Sequence, residues 1–134
     1  MKYFYLRLIA FCFSMLIAFS TFAQTDIYKK DIIRYNLKEQ SGKKEGNRIL
    51  NDQLEIDVFV KDFSIEKAKK VCAYYKDFYK EKAKKKGNRL TIYIEVWSKK
   101  ILQSQIDNVN IQNKYYHGGI NYNYYNENYF ENIY

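Results

Sequence analysis

The sequence predicts one small α/β domain, with α+β as the alternative: a mixed β-sheet of three to five strands and one long amphipathic helix packed on one of its faces. Three observations carry this. Residues 54–60 (LEIDVFV) and 89–97 (RLTIYIEVW) alternate apolar and polar side chains, the period of a half-buried strand. Between them, residues 64–86 repeat apolar side chains at spacings of three and four, the period of a helix with one buried stripe. A strand, a helix of that length and a second strand read as a right-handed βαβ unit over 54–97, its two strands parallel.

The chain begins differently. Lys2 and Arg7 precede an uncharged run from Leu8 to Phe19, and Ser20-Thr21-Phe22-Ala23 follows. A charged start, a short apolar run and a small-residue end describe a secretory signal peptide, residues 1–23, cut after Ala23. The run is shorter than the roughly 20 apolar residues that cross a bilayer. Cys12 sits inside it behind Phe11, which is wrong for a lipoprotein acceptor. The working chain is then residues 24–134, one small domain in a periplasm or outside the cell, with no stable transmembrane segment after cleavage. It keeps one cysteine, Cys72, so no disulfide staples it and packing must hold it together.

The remaining elements follow in order. Around Ile32–Leu37 a strand is expected, with Ile33, Tyr35 and Leu37 on one face and Arg34 and Asn36 on the other. Residues 40–47 (QSGKKEGN) read as an exposed loop. On 54–60, Leu54, Ile56, Val58 and Val60 form the core face, while Glu55 and Asp57 share the opposite, solvent-facing side. In the helix, Ser64 caps the start and Glu66 suits the dipole. Ile65, Ala68, Val71, Cys72, Tyr75, Phe78, Tyr79 and Ala83 make the buried stripe. Gly87 and Asn88 end it. On the second strand Leu90, Ile92, Ile94 and Val96 face the core, opposite Thr91, Tyr93, Glu95 and Trp97. Residues 98–107 allow a short helix with Ile101, Leu102 and Ile106 inward. The segment 108–134 holds eight Asn and seven Tyr, and a strand over about 115–125, bent at Gly118-Gly119, would extend the sheet.

Motif chemistry is sparse. His117 and Cys72 are too few for a zinc site, so no metal is expected. No glycine-rich phosphate loop precedes a helix, and no cofactor is expected. Cys72 lies on the apolar helix stripe, where a packed thiol is more natural than a nucleophile. Glu55, Asp57 and Glu95 share a sheet face and could do acid–base work only if they met in a pocket. No residue is assigned a catalytic role.

Charge and aromatic content suggest binding instead. Lysines and arginines number 23 against 15 acids, giving a net charge of +8. AT-rich codons for Lys, Asn, Ile and Tyr would produce the same balance without selection for anions. Lys69, Lys76, Lys80 and Lys84 nevertheless line the outer helix face, a surface able to meet a polyanion or an anionic membrane. The helix aromatics point inward, so specific nucleic-acid recognition is not expected. Tyr115, Tyr116, Tyr122, Tyr124 and Tyr125 can display an aromatic contact surface. The candidate binding set is Lys69, Lys76, Lys80, Lys84, Tyr122 and Tyr124. The expected function is that of a non-catalytic binding or structural protein of the envelope or secreted fraction, its partner a macromolecule, either a protein or an anionic surface. The rival classes are a small exported hydrolase using the sheet carboxylates and a polyanion- or membrane-surface-binding module.

Overall fold

A computed structural model describes residues 24–134; the expected signal peptide, residues 1–23, lies outside the described residues. The fold is mixed α and β. One sheet holds β1 (Ile32–Lys38), β4 (Asp52–Phe59), β5 (Leu90–Trp97), β6 (Tyr116–Asn123) and β7 (Tyr129–Ile133), in that spatial order. Only β4 and β5 run parallel, and the helical segment between them is the expected crossover. The other neighbours pair antiparallel. A small hairpin, β2 (Lys44–Glu45) and β3 (Arg48–Ile49), projects from the loop between β1 and β4. No helix among the described residues is long and apolar enough to cross a membrane.

The crossover is a bent helix, α1 (Ile65–Phe78) and α2 (Lys80–Lys85), joined at Tyr79. The Ser64 side chain accepts from the Lys67 amide at 3.2 Å, the expected N-cap. At the other end the Gly87 amide donates to the Lys84 carbonyl and Asn88 to Ala83, both residues having φ near +62°. These bonds satisfy the last carbonyls as a Schellman motif, so the lysine-rich end stops where glycine permits it.

Ala68, Val71, Cys72, Tyr75, Tyr79 and Ala83 pack on Leu54, Ile56, Val58, Ile92, Ile94 and Val96. The stripe differs from expectation at two places. Ile65, in the first turn beyond the sheet, is exposed, and Phe78 is only half-buried at the rim near the bend. Burial pushes the Cys72 thiol up to about 12, so it is packing material rather than a nucleophile.

The second sheet face is where the sequence reading needs correction. Glu55, Asp57 and Glu95 do share that face, but Asp57 is fully buried. Trp97, Ile101 and Ile106 form a second small core, with Ile33, Ile111, Tyr115 and Tyr116 against it. The segment after β5 therefore folds back over one end of the sheet. It does so with a 3-10 turn (Gln103–Gln105) and a short helix α3 (Val109–Tyr115), not the helix expected over 98–107. Ile101 and Ile106 turn inward as expected, whereas Leu102 is exposed. In β1 a bulge between Ile32 and Arg34 breaks strict alternation. Ile33 consequently joins the Trp97 cluster while Ile32 and Leu37 reach the helix-side core.

The expected terminal strand is β6, and β7 adds a fifth strand that its polar, irregular sequence did not announce. At Gly119 an added Cβ would lie 1.8 Å from the Ile94 carbonyl oxygen, so β6 reaches β5 this closely only with glycine there.

Candidate functional site

The covering layer reaches only the end of the sheet that carries Trp97. The opposite end of the same face lies outside that layer, with Gln53, Tyr93, Asn121 and Asn123 half-buried and Thr91 buried. Register places Gln53, Thr91 and Asn123 in one row across β4, β5 and β6, and Tyr93, Asn121 and Phe130 in the next row across β5, β6 and β7. The loop carrying β2 and β3 rises beside them and brings Gln40, Arg48 and Asn51. Together they wall a concavity of about 520 Å3, within the roughly 300–1,000 Å3 of small-ligand sites.

Its floor is held from within. The Asn51 side-chain amide donates to Asn123 Oδ1 at 3.2 Å and to Thr91 Oγ1 at 3.4 Å. Gln40 Nε2 donates to the Asn51 carbonyl at 2.9 Å. Asn51 Oδ1 is buried and receives no donor among the described residues. The loop itself is pinned by Asp52, whose buried carboxylate accepts from the Gln40 amide (2.8 Å), the Ser41 amide (2.6 Å) and Lys86 Nζ (2.6 Å). Burial alone would raise this carboxyl. The Lys86 and backbone hydrogen bonds outweigh it and hold the pKa down at about 2. One buried side chain thus ties the end of the helix, the start of β4 and the concavity wall together.

Amide and hydroxyl side chains dominate the wall, Tyr93 and Phe130 add aromatic faces, Ile49 and Leu50 add aliphatic surface, and Arg48 is the one charged residue lining it. Phe130 is 63 % exposed on the outermost strand. Glu55 lies beside Tyr93 in register but is engaged by Asn36 Nδ2 at 3.2 Å.

The carboxylates needed by a hydrolase do not meet in a cleft. Asp57 accepts from Arg34 Nε at 2.6 Å and from Trp97 Nε1 at 2.9 Å, beneath the covering layer. Burial raises its pKa, with the Trp97 and Arg34 hydrogen bonds pulling the other way. Glu95 accepts from the Tyr116 hydroxyl, and burial raises its pKa too. Both are structural acceptors inside the second core. Among the described residues, no three His, Cys, Asp or Glu side chains converge as metal ligands.

The lysine and tyrosine candidates lie on the other side of the sheet. Lys76, Lys80, Lys84, Tyr122 and Tyr124 come together around a groove of about 310 Å3, bringing segments distant in sequence to one place. Asp77 and Glu127 line the same groove. Lys76 Nζ sits over the Tyr122 ring at 5.0 Å and the Tyr129 ring at 5.5 Å. Lys84 pairs with Glu81 at 3.0 Å, and Lys69, farther along the helix, pairs with Glu131 at 2.8 Å. Lys80 has no ion-pair partner among the described residues. Tyr124 is buried, contrary to its expected display, and its hydroxyl donates to the Lys76 carbonyl; Tyr122 is half-buried. Tyr115 and Tyr116 pack on the Trp97 cluster, leaving Tyr125 exposed.

Sequence reasoning missed the amide face; the available signal was the alternation of Asn121 and Asn123 with Ile120, Tyr122 and Tyr124. Comparison with protein-family models, curated protein sequences and solved structures returned no match.

Proposed function

We propose that the chain is exported by its N-terminal signal and acts in a periplasm or outside the cell as a non-catalytic binding protein. Its contact surface is the open end of the sheet around Tyr93, Asn121 and Asn123. One observation carries this reading: the same sheet face is roofed by Trp97, Ile101 and Ile106 at one end and left open at the other. The open end forms a polar concavity walled by a loop that a buried carboxylate holds in place. A preorganised wall lowers the ordering cost of binding. The rival hydrolase reading loses support because Asp57 and Glu95 are committed to Arg34, Trp97 and Tyr116. The polyanion reading loses support because Lys69, Lys76 and Lys84 already have partners within the fold, although exposed pairs of this kind are weak.

The experiment is co-sedimentation of the exported chain with the envelope fraction of the cells that make it, after mass spectrometry has located its N-terminus near Gln24. A Tyr93→Ala/Asn121→Ala variant should lose retention. A variant with Lys69, Lys76, Lys80 and Lys84 all changed to Gln should keep it. The reverse pattern would move the function to the helix face.

A further inference from the structure

We infer that the ligand of this concavity is an uncharged polyhydroxylated molecule, a neutral oligosaccharide. The inference rests on reading the open sheet end as the binding surface and specifies what it binds.

The first argument is charge. Among the residues lining the site, Arg48 is the one cation and there is no carboxylate. A phosphate or sulfate polymer would find one counter-charge, Arg48, for its many charges. A cationic ligand would meet Arg48 and nothing acidic in the wall. A neutral ligand brings no charge to bury, and the wall's polar groups can replace the water its hydroxyls give up.

The second argument is hydrogen-bond sense. Each Asn or Gln amide carries both donors and an acceptor; Asn51, Thr91 and Asn123 Oδ1 are engaged with one another, which leaves the amides of Gln53, Asn121 and Asn128 and the amino group of Asn123 to meet a ligand. A wall made of such groups matches a ligand whose every polar group is also both donor and acceptor, and that group is the hydroxyl. The sheet fixes the spacing. Gln53, Thr91 and Asn123 stand on adjacent strands about 4.8 Å apart, and the Tyr93–Asn121 row is displaced by about 7 Å along them. This is a grid of polar groups on the scale of hydroxyls on neighbouring sugar rings.

The third argument is the aromatic component. Tyr93 and Phe130 flank Asn121 on the same face, and Phe130 projects from the outermost strand with most of its surface in water. An exposed ring at the edge of an amide cluster suits the C–H face of a pyranose, which needs an apolar platform beside its hydroxyl partners.

The test is an array of neutral and acidic oligosaccharides probed with the exported chain at 0.15 M and 1 M salt. Wild type, Tyr93→Ala, Tyr93→Phe, Asn121→Ala and Lys80→Gln are compared, with folding checked by circular dichroism. The expected result is retention on neutral glycans that changes less than about twofold with salt. Tyr93→Ala should weaken it by about tenfold. Tyr93→Phe, which keeps the ring and loses the hydroxyl, should weaken it less than Tyr93→Ala does, and Lys80→Gln, on the other side of the sheet, should bind like wild type. Retention on acidic glycans alone, lost at high salt, would overturn the inference. Absence of glycan binding, with envelope retention still lost in Tyr93→Ala/Asn121→Ala, would also overturn it while leaving the open sheet face as the contact surface. Absence of both effects would end both readings.

Discussion

Replacing Asp52 by Asn tests how the wall of the concavity is held. The substitution keeps the shape of the side chain and removes its charge. The carboxylate takes three donors from two directions, the Gln40 and Ser41 amides of the loop and Lys86 Nζ at the end of the helix. Its pKa falls from an ordinary 3.8 to about 2 in the fold. At about 1.4 kcal/mol per pKa unit, the ionised form contributes about 2 kcal/mol to stability at neutral pH. The folded pKa is depressed, so the contribution is complete above about pH 4 and disappears as pH falls through about 2. Urea unfolding of wild type and Asp52→Asn should therefore differ by about 2 kcal/mol at pH 7 and by about 1 kcal/mol between pH 2.5 and 3. Lys86 also reaches Glu39 at 3.3 Å, which keeps its own charge satisfied in the variant. Hydrogen exchange at the Gln40 and Ser41 amides should accelerate, because those donors lose a charged acceptor. A difference independent of pH, or below about 0.5 kcal/mol at pH 7, would refute the assignment of Asp52 as the pin.

Other substitutions test the remaining supports. Asp57→Ala strands the Arg34 guanidinium and the Trp97 indole N–H beneath the covering layer and should cost about 3–5 kcal/mol, with Trp97 fluorescence shifting as water enters. Gly119→Ala places a methyl group against the Ile94 carbonyl; urea unfolding should show a loss above about 2 kcal/mol or no folded protein, because two backbones must separate to admit it. Tyr75→Ala, at a fully buried position, should cost about 3–5 kcal/mol, and Phe78→Ala at the half-buried rim clearly less. Cys72 should resist thiol reagents at pH 8 in the native protein and react once urea opens it, since burial pushes the thiol up to about 12.

The elements with a strict period were legible. Leu54–Val60, Ile65–Lys85 and Leu90–Val96 each state their own structure through spacing, and the parallel βαβ arrangement follows from their order. What was not legible depended on contacts between distant segments. Asp57 reads as a solvent-facing carboxylate because its strand alternates cleanly. Its burial comes from Trp97 and from residues 98–115 folding back, which no local pattern encodes. Ile33 changes faces because a single bulge shifts the count, and bulges leave little trace in a mixed apolar sequence. Strand β7 (YFENI) was hidden because its apolar and polar residues do not separate cleanly by face. Of the candidate binding residues, Lys76, Lys80, Lys84, Tyr122 and Tyr124 share one groove, but the fold spends Tyr124 on packing, sets Lys76 over the Tyr122 ring and pairs Lys84 with Glu81. The amide face was overlooked because each of its residues looked ordinary alone. Gln53, Thr91 and Asn123 become a surface only when β4, β5 and β6 lie side by side.

The central claim is that the open end of the sheet, not the lysine face, makes the functional contact. The most direct measurement is nuclear magnetic resonance of the 15N-labelled protein during titration with soluble fragments of the envelope fraction of the cells that make it. The account predicts shifts in the side-chain amide signals of Gln53, Asn121 and Asn123 and in the backbone signals of Thr91 and Tyr93, with the backbone from Lys76 to Lys84 unmoved. Shifts confined to Lys76–Lys84 and Tyr122, with the amides of the concavity unchanged, would contradict it.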